Sequence, residues 1–71
     1  MASVVKVIEV IAQSKKGWED AAQKAVKKAS KSIDNIKSVY IQDMSAKVDG
    51  DQIVLYRVIA KISFVVGKKG K

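Results

Sequence analysis

Residues 52–66 read Gln-Ile-Val-Leu-Tyr-Arg-Val-Ile-Ala-Lys-Ile-Ser-Phe-Val-Val, without Pro or Gly. Successive side chains of a strand point to opposite faces. Strict alternation puts Val54, Tyr56, Val58, Ala60, Ile62, Phe64 and Val66 on one face, which is almost wholly apolar. The other face carries Ile53, Leu55, Arg57, Ile59, Lys61, Ser63 and Val65 and is half apolar. A strand sticky on both sides needs cover on both sides. The chain offers one convincing helix, enough for one of them, so the pattern predicts a subunit of an assembly whose second cover is other copies of itself.

The remaining elements follow from the same reading. Val4 to Ala12 is β-branched and apolar, interrupted by Lys6 and Glu9, and predicts a first strand. Ser14 is placed to cap a helix by accepting from a first-turn amide. Trp18, Ala22, Ala25, Val26, Ala29 and Ile33 recur at spacings of three and four. That is one apolar stripe of a helix running from Lys15, or from Gly17, to about Ile33. Asp20 and Lys24 form an i,i+4 pair on it. Asp34-Asn35 reads as a turn, Ile36 to Val48 as a second strand, and Asp49-Gly50 as the signal of a tight hairpin into the third. The expectation is an α+β fold of order β-α-β-β, with the helix on one face of a three-stranded antiparallel sheet.

Length sharpens the assembly argument. A chain of 71 residues is one small domain, and domains of this size bury only about 60% of their unfolded surface. The usual supplements are disulfides, a structural metal or oligomerisation. The sequence has no Cys and no His, which removes disulfides, Cys/His zinc sites, Cys nucleophiles and Ser-His-Asp triads together. No catalytic constellation is identifiable, so the expectation is not an enzyme. The start of the chain shows no signal peptide and no stretch reaches about 20 apolar residues; the expected location is cytoplasmic, with no membrane partner. The net charge of +7 favours anionic partners. Part of it lies in Gly67-Lys68-Lys69-Gly70-Lys71, read as a basic, disordered tail beyond a single domain of residues 1–66.

The order, length and spacing resemble the dodecin family. The residues carrying the resemblance run from Val7-Ile8-Glu9-Val10-Ile11-Ala12-Gln13-Ser14 into Gly17-Trp18-Glu19-Asp20-Ala21-Ala22. They continue through Ala25 to Ala29, Ser32-Ile33-Asp34-Asn35, and Tyr56-Arg57-Val58 to Ser63-Phe64. The resemblance implies a long, curved sheet partly wrapping the helix, and a hollow homododecamer that binds or stores a small ligand without turnover. Flavin-binding members (riboflavin or FMN) stack isoalloxazine rings on a Trp and hydrogen-bond the ring edge with a Gln. Aligned without gaps, those positions are Ser38 and Arg57. Ser38 has no π face, and Arg57 donates but does not accept, so flavin is disfavoured. Tyr40, beside Ser38, is the remaining aromatic there. A second branch lacks this Trp and is described as calcium-binding; Ser14, Gly17-Trp18-Glu19, Gln42-Asp43-Met44 and Tyr56-Arg57 place the chain nearer to it.

Hard cations require several oxygen ligands. The candidates are Asp43, Asp49 and Asp51, with Glu9, Glu19 and Asp34 as further carboxylates. Asp49-Gly50-Asp51 lacks the later ligands of an EF-hand loop and reads first as a hairpin turn. Asp43 could converge with its copies about a symmetry axis, where carboxylates repel unless a cation lies between them. Arg57 and Lys61 share a strand face, with Glu9 a candidate ion-pair partner; the other reading is a contact to an anionic small molecule through the guanidinium fork. Lys24, Lys27, Lys28 and Lys31 form a basic helix flank, either solvated or part of a small nucleic-acid-binding protein. The few aromatics are not interleaved with these lysines, which weighs against a stacking platform for bases.

Overall fold

A computed structural model describes residues 4–66; the predicted basic tail lies outside the described residues. The elements are β1 (Val4–Ser14), α1 (Trp18–Ala29), β2 (Ile36–Asp49) and β3 (Gln52–Val66). The sheet order is β1-β3-β2, with both pairings antiparallel. The β-α-β-β expectation holds, and the long apolar strand takes the central position.

Its register positions everything else. β1 lies along β3 from Val4 opposite Val66 to Ser14 opposite Tyr56. β2 turns into β3 with Asp49 opposite Gln52. Gly50 takes φ 68° in that turn, a left-handed conformation that costs glycine nothing. Register shifts interrupt β2–β3 in three places. Where Lys47 opposes Leu55 and Val48 opposes Ile53, Val54 is the extra residue. Simple alternation therefore fails at the start of β3: Ile53 and Leu55 are not equivalent neighbours on one face. A second bulge adds Gln42 between Ile41 and Asp43, which turns Asp43 to the side of Ile59. Bulges bend and twist a strand locally, and they curve this sheet.

The core is small. Val58, Ala60 and Ile62 of β3 are buried against Ala21 and Ala25 of α1. The helix contact therefore centres on Ala25, which the predicted stripe contains, and on Ala21, which it omits; Ala22, Val26 and Ala29 are only half-buried. Small residues let the helix axis approach the sheet closely. The helix is also shorter than its periodicity indicated. It ends at Ala29, after which Lys31 and Ser32 donate to the carbonyls of Lys28 and Ala29 in tightened turns. Asn35, with φ 64°, reverses the chain into β2.

The predicted helix cap is corrected. The N-cap position is Gly17, with no side-chain cap. Ser14 instead closes β1, buried at 3% exposure. Its Oγ accepts from the Lys16 amide at 2.9 Å and donates to Asp20 at 2.5 Å. The hydroxyl thus joins strand end, connection and first helical turn. Lys24 adds an ion pair to Asp20 at 3.5 Å.

Candidate functional site

The face of the sheet turned away from α1 carries Ser38, Tyr40, Asp43 and Arg57, with Glu9 and Lys61. Paired residues of neighbouring strands share a face, so the register can be read as rows. Val7, Ser63 and Ser38 make one row; Glu9, Lys61 and Tyr40 the next; then Ile11, Ile59 and Asp43; then Gln13, Arg57 and Ser45. This outer face is a mixed apolar and polar surface with little cover. Val5, Val7 and Ile11 are 54%, 56% and 58% exposed.

Ser38 Oγ lies 2.6 Å from Ser63 Oγ, so the position that would carry a stacking Trp holds a small polar pair. Arg57 stands opposite Gln13 and Ser45. Ser63 and Arg57 are six positions apart on β3, a span of about 20 Å. Ser38 and Arg57 therefore share a face but do not meet within one subunit. Tyr40, exposed, lies between them beside Lys61. Glu9 faces Lys61 across β1 and β3, whereas Arg57 faces the uncharged Gln13.

The carboxylates are dispersed. Asp43 lies opposite Ile59, with Oδ1 accepting from the Met44 amide at 3.0 Å. Asp49, ending β2, and Asp51, in the hairpin turn, lie roughly 20 Å of strand away from Asp43. Among the described residues no group of three or more His, Cys, Asp or Glu comes together within one subunit.

Sequence reasoning missed the surroundings of Arg57. Gln13, Ser45, Lys47, Leu55 and Arg57 line a hollow of about 310 Å³. Counting back from the hairpin without bulges sets Arg57 opposite Met44; the shift at Val54 moves it to Ser45 and brings Lys47 into the same hollow. Only the bulge reveals this, and no residue type announces it. Trp18, on the apolar stripe of the helix, is half-buried. Its indole N–H donates to the Ser45 carbonyl at 2.9 Å, and its ring meets Tyr56 edge-on at 4.7 Å. The hydrogen bond ties the helix start to β2, and the ring contact ties it to β3 in an edge-on geometry that aromatic pairs prefer.

Asp20 lies on the helix, behind the sheet. The hydrogen bond from Ser14 holds its carboxyl below the usual carboxylate value, helped by Lys24 and Lys16 and opposed by partial burial. It serves the connection rather than the outer face.

The dodecin family model matches residues 4–67. The chain belongs to the dodecin family. It is 37% identical over 62 residues to the calcium dodecin of Mycobacterium tuberculosis, covering 87% of each protein. The crystal structure of that calcium dodecin, described as calcium-chelating with a novel calcium-binding site, superposes with a TM-score of 0.78 at 34% identity. The match spans 97% of this chain and 99% of the other. A Thermus thermophilus dodecin variant superposes with a TM-score of 0.89 at 21% identity, over 94% of this chain and all of that one. The Streptomyces coelicolor dodecin gives 0.86 at 21% identity, over 94% and 96%. At that identity the latter two share the fold alone; the sequence lies nearer the calcium dodecin. Among the described residues no helix of this dodecin is long and apolar enough to cross a membrane.

Proposed function

We propose that this dodecin is the subunit of a hollow homododecamer that binds and stores a small ligand without catalytic turnover, and that the ligand is calcium or another non-flavin species. The observation carrying the proposal is the uncovered outer face. Val5, Val7 and Ile11 of β1 are more than half exposed, and fully burying one such side chain is worth about 1.5–3 kcal/mol. A face this apolar, on a chain whose own core is so small, is stabilised when copies of the chain pack over it.

Three things favour a cation over flavin. The sequence relative is a calcium dodecin. Ser38 is hydrogen-bonded to Ser63 and offers no stacking surface. Arg57 lacks an acceptor for the ring edge. The cation site is drawn from Asp43 on the outer face, completed by copies of itself, with Asp49 and Asp51 the remaining candidates. A single subunit gathers no three such side chains among the described residues, so the site we propose draws its carboxylates from neighbouring copies.

Native mass spectrometry of untagged protein, with calcium and separately with FMN, tests the proposal. The expected result is a dodecamer carrying calcium adducts that resist mild chelation and are lost in Asp43→Asn. Flavin adducts in place of calcium would overturn the ligand, and a monomer would overturn the shell.

A further inference from the structure

Two other surfaces remain uncovered, and they are complementary. The first is a groove of about 640 Å³ between β1 and the second half of α1. Val10, Ala25 and Ile33 contribute to its apolar floor, and Lys27, Lys28 and Lys31 stand along its rim. Lys24 also borders it but is engaged by Asp20. The second surface is the tip of the β2–β3 hairpin. There Val48 and Ile53 oppose each other, 58% and 47% exposed, with the bulged Val54 beside them. Asp49 ends β2 and Asp51 lies in the turn itself. An apolar patch bearing two carboxylates thus corresponds to an apolar groove bearing three lysines, Lys27, Lys28 and Lys31, that form no ion pair among the described residues.

The two surfaces cannot meet within one chain. β1 ends at Ser14, opposite Tyr56, so the hairpin tip projects past it. The groove runs along Ile8 to Ala12, and Ala12 lies opposite Val58. Ile53 is five positions from Val58 on β3, about 17 Å of strand, and a rigid sheet does not fold that distance back on itself. The occupant must come from another molecule.

We infer that the groove receives the hairpin tip of a second copy of this chain. Val48, Ile53 and Val54 cover the apolar floor, and Asp49 and Asp51 lie among Lys27, Lys28 and Lys31. The contact is heterologous, because tip and groove are different surfaces, and such contacts propagate until they close into a ring or shell. It rests on the proposed self-assembly and adds to it the pair of surfaces that joins neighbours. It also gives the basic helix flank and the Asp-Gly-Asp turn one shared role: mutual neutralisation in a chain of net charge +7.

Charge reversal with rescue is the test, on the full chain by native mass spectrometry at low salt. Asp49→Lys with Asp51→Lys, and separately Lys27→Glu with Lys28→Glu, each place like charges across the contact. Each pair should raise the concentration needed for half-assembly about tenfold or more. All four substitutions together restore opposite charges with the polarity exchanged, and should recover assembly. Acetylation with an amine-reactive reagent supplies a second readout: Lys27, Lys28 and Lys31 should be protected in the wild-type assembly and exposed in the Asp49→Lys, Asp51→Lys protein. Unchanged assembly in both reversed pairs, or fully reactive groove lysines in an intact wild-type assembly, would overturn the inference while leaving the shell standing. Failure of the fourfold variant to recover when both pairs disassemble would overturn it as well. A wild-type protein that stays monomeric would remove both the shell and the inference.

Discussion

The two faces of β3 differ in what closes them. On the helix side Val58, Ala60 and Ile62 are at most 1% exposed, closed by Ala21 and Ala25 of the same chain. On the outer side Ile59 is only half-buried, and its neighbour Ile11 is exposed. The helix-side face is almost wholly apolar, whereas the outer face mixes Ile59 and Val65 with Arg57, Lys61 and Ser63. The helix can lie on only one of them, and it lies mainly over β1 and β3, leaving Val39, Met44 and Val48 of β2 exposed as well. One half of this strand is a core completed within the subunit, while the other half is left open on the single chain.

The sharpest way to break that distinction is to place a charge on each face. Ile62→Asp buries an unpaired carboxylate in the closed core. It should abolish folding at every protein concentration, read by circular dichroism. Ile11→Asp charges the outer face instead. It should remove the assembled species in dilute solution and regain it partly as concentration rises, because the stability of an oligomer depends on subunit concentration. Identical behaviour of the two variants would mean that the faces are not distinct.

Smaller effects probe the supports behind the faces. Trp18→Phe keeps a ring against Tyr56 but loses the bond to the Ser45 carbonyl. It should cost about 1 kcal/mol, seen as a lower denaturation midpoint. Ser14→Ala removes the hydroxyl joining Lys16 and Asp20 and should lower the melting temperature by about 5 °C. Its effect depends on pH in a defined direction. The Asp20 pKa is depressed in the folded state, so its contribution is fully present above the usual carboxylate value and is lost as pH falls through the folded value. The difference between wild type and Ser14→Ala should therefore narrow in acid. A gap that stays constant down to the folded pKa and below would show that Ser14 acts only through the Lys16 amide. Finally, Ser38→Trp with Arg57→Gln should raise flavin affinity, measured by quenching of flavin fluorescence; no gain would remove these positions from the flavin question.

Much of this was legible in the pattern of apolar positions. Element order, the hairpin at Gly50 and the central role of residues 52–66 all follow from local periodicity and turn chemistry. What escaped depends on more than local sequence. Ser14 looks like a cap in isolation, but the strand runs on to it, and the hydroxyl serves Asp20 instead. Ala21, outside the apolar stripe, is more deeply buried than Ala22, which lies on it, because the side of the helix that meets the sheet is set by tertiary packing rather than by local periodicity. The bulges at Val54 and Gln42 leave no mark in residue type, yet they decide that Arg57 faces Ser45 and that Asp43 shares a row with Ile11. The carboxylates were visible as residue types, but their dispersion along β2 appears only once the register is fixed.

Sedimentation velocity of the full chain across a wide concentration range tests most directly the claim that the outer face is closed by other copies. The account predicts a single large species, of dodecameric mass, unchanged on dilution through the micromolar range. A folded monomer at all concentrations, with Val5, Val7 and Ile11 still bathed in solvent, would contradict it.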